Sequence, residues 1–164
     1  MRIFILSLIL LTEVMIESTI LPFFRIKGIT PDIALITIIA IGLIYGKKEG
    51  TFLGFIGGLL SDILYGTIIG LHALPFMLIG YVMGLVSERV YRENRIIPLL
   101  FTLIGTFLYH LYFYLIQYLM GVDYSIYEYL RNYTTASLII NAILAILAYP
   151  LLLKLSDWNL LKDN

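Results

Sequence analysis

The chain has no cysteine in 164 residues, which excludes disulfides, thiolate metal centres and cysteine nucleophiles. Charge is also scarce. Only 13% of residues are charged and 60% are hydrophobic, with a mean hydropathy of +0.95, whereas a soluble domain carries about 25% charged residues. So few charges cannot cover a water-facing surface, and residues 1–164 read as one integral membrane domain without a separate soluble module. Eleven basic residues balance eleven acidic ones, so bulk charge gives no argument for nucleic-acid binding. HExxH, GxSxG, the phosphate loop, the dinucleotide fingerprint and any Cys/His cluster are missing as well. No catalytic residue, metal or cofactor is therefore expected.

What is present is a succession of apolar runs, near 3–22, 30–46, 51–66, 71–87, 96–120 and 133–153. A bilayer core of about 30 Å takes about 20 helical residues, so these runs predict an all-α polytopic protein with six transmembrane helices. The first run follows Arg2 like a signal peptide, but Glu13 and Glu17 interrupt it and no small-residue cleavage site follows Leu21. It reads as a retained helix. Thr30-Pro31-Asp32 supplies a cap, a first-turn proline and a favourable acid for the second helix. Pro98 takes the first-turn place in the fifth, and Pro75 and Pro150 are predicted kinks in the fourth and sixth.

Basic residues orient the bundle. With the N-terminus inside, Arg2, Lys47, Lys48, Arg89, Arg92, Arg95, Lys154 and Lys162 are cytoplasmic, and Arg25, Lys27 and Arg131 are external. That asymmetry follows the positive-inside rule and places both termini in the cytoplasm. Arg89, Arg92 and Arg95 form a basic loop expected to anchor topology and meet anionic headgroups. Tyr118, Tyr124, Tyr127, Tyr129, Tyr133 and Trp158 read as interfacial anchors.

Two features inside the apolar runs call for a reason. Gly50, Gly54 and Gly58 recur every fourth residue, with Gly57, Gly80 and Gly84 nearby. In water each interior glycine costs up to about 1 kcal/mol against alanine, whereas in lipid small residues let backbones approach. These six glycines form an expected helix-packing or partner face. The second feature is ionisable: a charge at the bilayer centre costs about 2.5–3.5 kcal/mol even on the lenient scale. Glu17, Asp32, Asp62 and His72 fall at the outer end of four segments and form an expected intramembrane polar site. Asp32 is read there as a headgroup-level helix start. Glu13 lies one turn below Glu17, and no Lys or Arg falls within a run to neutralise these acids. His110, Gln117 and Asn141 read as helix-to-helix hydrogen-bonding residues.

The chain resembles the MreD family of bacterial rod shape-determining proteins. Pro31-Asp32, Gly50, Gly54, Gly57, Gly58, Asp62, Gly66, Gly70, Leu71, Ala73, Leu74, Gly80, Tyr81 and Gly84 carry the resemblance, over roughly residues 28–90. It implies a non-enzymatic scaffold of the cell-elongation complex in the bacterial cytoplasmic membrane. The implied partners are MreC through its membrane helix, the MreB filament, and the peptidoglycan polymerase and transpeptidase pair. It also admits a homodimer within the complex. The implied architecture is similar to the substrate-binding subunits of energy-coupling factor transporters, which supply the alternative function. Those subunits dock through Ala-rich helix faces, and residues 3–22 contain neither Ala nor Gly.

Overall fold

The computed structural model describes residues 2–24, 30–66, 68–87, 96–123 and 125–156, and its regular structure is entirely helical. In chain order the helices are α1 (Arg2–Thr19), α2 (Ile33–Tyr45), α3 (Lys47–Leu64), α4 (Ala73–Val86), α5 (Ile96–Leu119) and α6 (Ile126–Ser156). A short 3-10 turn, Leu21–Phe24, follows α1, and α6 contains a π-helical segment, Leu130–Thr134. Arg2–Phe23, α5 and α6 are long and apolar enough to cross a membrane. The chain is an all-α membrane protein.

Length separates the helices into two kinds. The 24 residues of α5 reach about 36 Å, whereas the 13 of α2 and 14 of α4 reach only about 20 Å. Both short helices are nonetheless strongly apolar. A helix apolar on all sides belongs in a core, and α2 is at the centre, with buried residues running without a break from Ala34 to Ile44. It packs against α1, α3, α4, α5 and α6. The outer faces of α5 and α6 stay apolar and uncovered, as at Leu147 and Leu151, which is how a lipid-facing surface is built.

The closest packing joins α3 to α4. A Cβ on Gly50 would strike the Gly80 carbonyl oxygen, one on Gly54 the Phe76 carbonyl oxygen, and one on Gly58 the Ala73 backbone. From the other side, Gly84 lies on the Lys47 backbone. As α3 advances one turn α4 recedes one turn, so the two run antiparallel with backbones touching along the seam. Dispersion and Cα–H···O contacts hold such seams together. Gly57 is the exception among the six: a Cβ there would point away from α4, 3.2 Å from Ile38 Cδ1 and 3.5 Å from Leu10 Cδ2. Gly46 is the sole residue between α2 and α3, at φ 95°, a conformation that favours glycine.

Several local expectations need correction. Pro75 is the third residue of α4, in its first turn, and does not kink the helix interior. Asp32, not Thr30, is the N-cap of α2, with its carboxylate accepting from Leu35 N. Asp32 also lies beside the middle of α6. Its backbone N–H donates to Asn141 Oδ1 at 3.2 Å, well inside α6.

Candidate functional site

The short helices set a physical problem. A helix that begins inside a bilayer leaves its first N–H groups without water, at several kcal/mol for each one left unsatisfied. Both short helices begin alongside the middle of a longer one, α2 beside Asn141 and Thr106 and α4 beside Tyr109 and Phe113. Asn141 ties the start of α2 to Thr106 of α5, donating to Thr106 Oγ1 at 3.2 Å. From that level α5 continues to Leu119, about 20 Å further along its axis.

Acids from the preceding long helices meet the need. Glu17, two residues before the end of α1, accepts from Ala34 N of α2 at 2.7 Å through Oε1. Tyr65 donates its hydroxyl to Glu17 Oε2 at 3.3 Å. Asp62, likewise two residues before the end of α3, holds the start of α4. Its Oδ2 accepts from Gly70 N at 2.7 Å and Ala73 N at 3.1 Å, and its Oδ1 from His72 N at 2.8 Å. His72 Nδ1 lies 2.8 Å from that same Oδ1. Carboxylates are favoured at helix N-termini by the aligned N–H groups and the macrodipole. Glu17 and Asp62 thus act as clasps between consecutive helices, and both oxygens of each are engaged. Glu13, one turn below Glu17 on the same face, accepts from the Thr37 hydroxyl of α2 at 3.0 Å.

Glu17, Asp32, His72, Tyr65 and Tyr109 converge on a cavity of about 310 Å³, with Ser18, Pro22, Thr30 and Pro31 completing its wall. Asp62 is not on the wall and meets this group only through His72. Aromatic rings surround the imidazole: Phe113 at 5.1 Å and Tyr65 at 5.3 Å between centroids, and Phe76 at 6.2 Å. Among the described residues no group of three or more His, Asp or Glu is set to hold a metal.

The sequence profile of rod shape-determining protein MreD matches residues 1–157, nearly the whole chain. The chain belongs to the MreD family. No curated protein and no solved structure matches it, so the implied likeness to transporter substrate subunits has no support from a comparison. MreD membership makes this a rod shape-determining membrane protein.

Within this MreD chain the expected site residues separate by place. Gly50, Gly54, Gly58, Gly80 and Gly84 lie in the α3–α4 seam, covered by the protein's own backbone. Gly57 faces α1 and α2. Glu17, Asp32 and His72 line one cavity, and Asp62 joins them through His72. Arg89, Arg92 and Arg95 lie outside the described residues, as do Arg25, Lys27, Tyr124, Trp158 and Lys162. Sequence reasoning missed Thr37, Tyr65, Tyr109, Phe113 and Gly105. The last presses on the core: a Cβ there would come 2.6 Å from Ile39 Cδ1. His110 sits 3.5 Å from the Tyr129 hydroxyl, joining α5 to α6 beside the π-helical segment.

Asn141 gives a contained test of this layer. It is fully buried and joins α6 to both α2 and α5. Asn141→Ala is expected to lower stability by about 1 kcal/mol, in line with hydrogen bonds between membrane helices. Unfolding in mixed micelles checks this, and a double-mutant cycle with Thr106→Val should recover about 0.6 kcal/mol of coupling.

Proposed function

We propose that this MreD-family chain is a non-enzymatic scaffold of the bacterial cell-elongation complex, holding MreC through its membrane helix. Through that contact it couples the MreB filament to the peptidoglycan polymerase and transpeptidase, from the cytoplasmic membrane and with both termini inside. The carrying observation is the family match across residues 1–157. The roles of the acids add support. Asp62 holds the start of α4 through both oxygens, and Glu17 holds the start of α2 through one oxygen and the Tyr65 hydroxyl through the other, a structural use of groups that a membrane enzyme would keep available for proton transfer.

Affinity purification of the full chain from bacterial membranes in mild detergent tests the reading. Recovery of MreC together with the wall synthases is expected. Recovery of an ATPase module with a bound vitamin, and no MreC, would replace the scaffold with a transporter subunit.

A further inference from the structure

A second concavity lies on the opposite side of the α3–α4 seam from the protein core, at the far end of the bundle from the clasps. It is a surface groove of about 520 Å³, and Lys47, Lys48, Phe52, Phe55, Met77 and Tyr81 shape it. Its wall is apolar and its cations are at one end. Phe52 is 49% exposed and Phe55 44%, so these rings face the surroundings and contribute little to the core.

The charges at that end do not cancel. Glu49, the acid beside the two lysines, is taken by Arg2 in an ion pair, and Arg2 also lies over the Tyr45 ring at 5.1 Å. Among the described residues no carboxylate pairs with Lys47 or Lys48. Both side chains are exposed, next to an apolar groove in a membrane protein. The apolar wall runs from Lys47 to Phe55 along α3, about 12 Å. That is too short to seat a partner helix that crosses a bilayer core of about 30 Å. It suits a molecule with an anionic head and a flexible tail.

We propose that this groove binds one acidic phospholipid, with its phosphate against Lys47 and Lys48 and an acyl chain along Phe52, Phe55, Met77 and Tyr81. The lysines supply attraction for the negative head, and burial of the chain against the aromatic wall supplies the apolar contribution. The phenol of Tyr81 is a further donor beside the head. The groove is shallow and open, so the distinguishing element is the adjacency of the two lysines to exposed apolar side chains that an acyl chain can cover.

The test uses the full chain in mild detergent, given equimolar phosphatidylglycerol and phosphatidylcholine of identical acyl chains and read by native mass spectrometry. One retained phosphatidylglycerol is expected, preferred by about tenfold. Lys47→Gln with Lys48→Gln should abolish the preference. Met77→Trp, which fills the groove, should lose the lipid with both lysines intact. Phe55→Ala should show a similar loss without entering the seam, and helicity by circular dichroism should match the unsubstituted chain in all variants. Glycerophosphate in millimolar excess should leave the lipid bound. A photo-crosslinking residue at Phe52 should label lipid in membranes. Absence of a headgroup preference, retention by both groove variants, displacement by glycerophosphate, or a protein adduct at position 52 would each overturn the proposal.

Discussion

Gly54→Leu is expected to lower the stability of the bundle by about 4 kcal/mol or more and to remove most folded protein from the membrane. The reason is what surrounds Gly54. A Cβ there meets the Phe76 carbonyl oxygen and carbon and comes 3.2 Å from Met77 Cα. Backbone cannot rotate aside as a side chain can, so α3 and α4 must separate. Separation then breaks the Gly50–Gly80 and Gly58–Ala73 contacts along the same seam. Overpacking a core ordinarily costs about 1–3 kcal/mol, and loss of the adjoining contacts raises the cost here. Even Gly54→Ala should be damaging, because its only added atom is the one that collides. Gly57→Ala is the control. Its Cβ would meet only side-chain ends, Ile38 Cδ1 and the Leu10 methyls, and replacing glycine in a helix recovers up to about 1 kcal/mol. The two alanine variants differ by one methyl at positions three residues apart. Unfolding curves in mixed micelles should separate them clearly, and equal stability would show that the seam is looser than the structure has it.

Asp62→Ala is the second large effect, expected at about 3–5 kcal/mol. Its carboxylate accepts from three backbone N–H groups, those of Gly70, His72 and Ala73, and contacts the His72 ring. Removing it leaves those donors at the start of α4, which has no side-chain cap of its own. Hydrogen bonds to a charged group contribute about 1.5–3 kcal/mol each, although bonds sharing one acceptor do not add. Asp62→Glu should restore little, since one further methylene pushes the carboxylate into the residues it now holds. His72→Phe should cost far less than Asp62→Ala, because the aromatic packing survives and the backbone donors keep their acceptor. Chemical unfolding that ranks His72→Phe as the worse variant would reverse this assignment.

Much of the architecture was legible because lipid imposes strict rules on sequence. An apolar run falls on each of the six helices, although α6 begins at Ile126, seven residues ahead of its run, and the family resemblance rested on the region that forms α2, α3 and α4. The glycine period announced backbone contact, but periodicity does not name the neighbour. Only the fold shows that Gly50, Gly54 and Gly58 meet α4, and that Gly57, one residue from Gly58, turns to α1 and α2. The grouping of Glu17, Asp32 and His72 followed from counting spans. Their purpose did not, because it depends on helix lengths. Once α2 and α4 are seen to begin alongside the middle of α6 and α5, the acids become the groups that close their exposed ends. Tyr65, Tyr109 and Phe113 escaped notice among 22 tyrosine and phenylalanine residues, where composition offers no contrast.

The role of Asp62 as a clasp is tested most directly by amide hydrogen exchange on the intact chain in micelles. Slow exchange is predicted at Gly70, His72 and Ala73 in the unsubstituted protein. In Asp62→Asn, which keeps the size of the side chain and one acceptor oxygen, those amides should exchange at least about tenfold faster, a loss of about 1.4 kcal/mol of local protection. Amides in the middle of α2 should stay protected in both. Unchanged exchange at Gly70, His72 and Ala73 would contradict the clasp, whatever the variant does to overall stability.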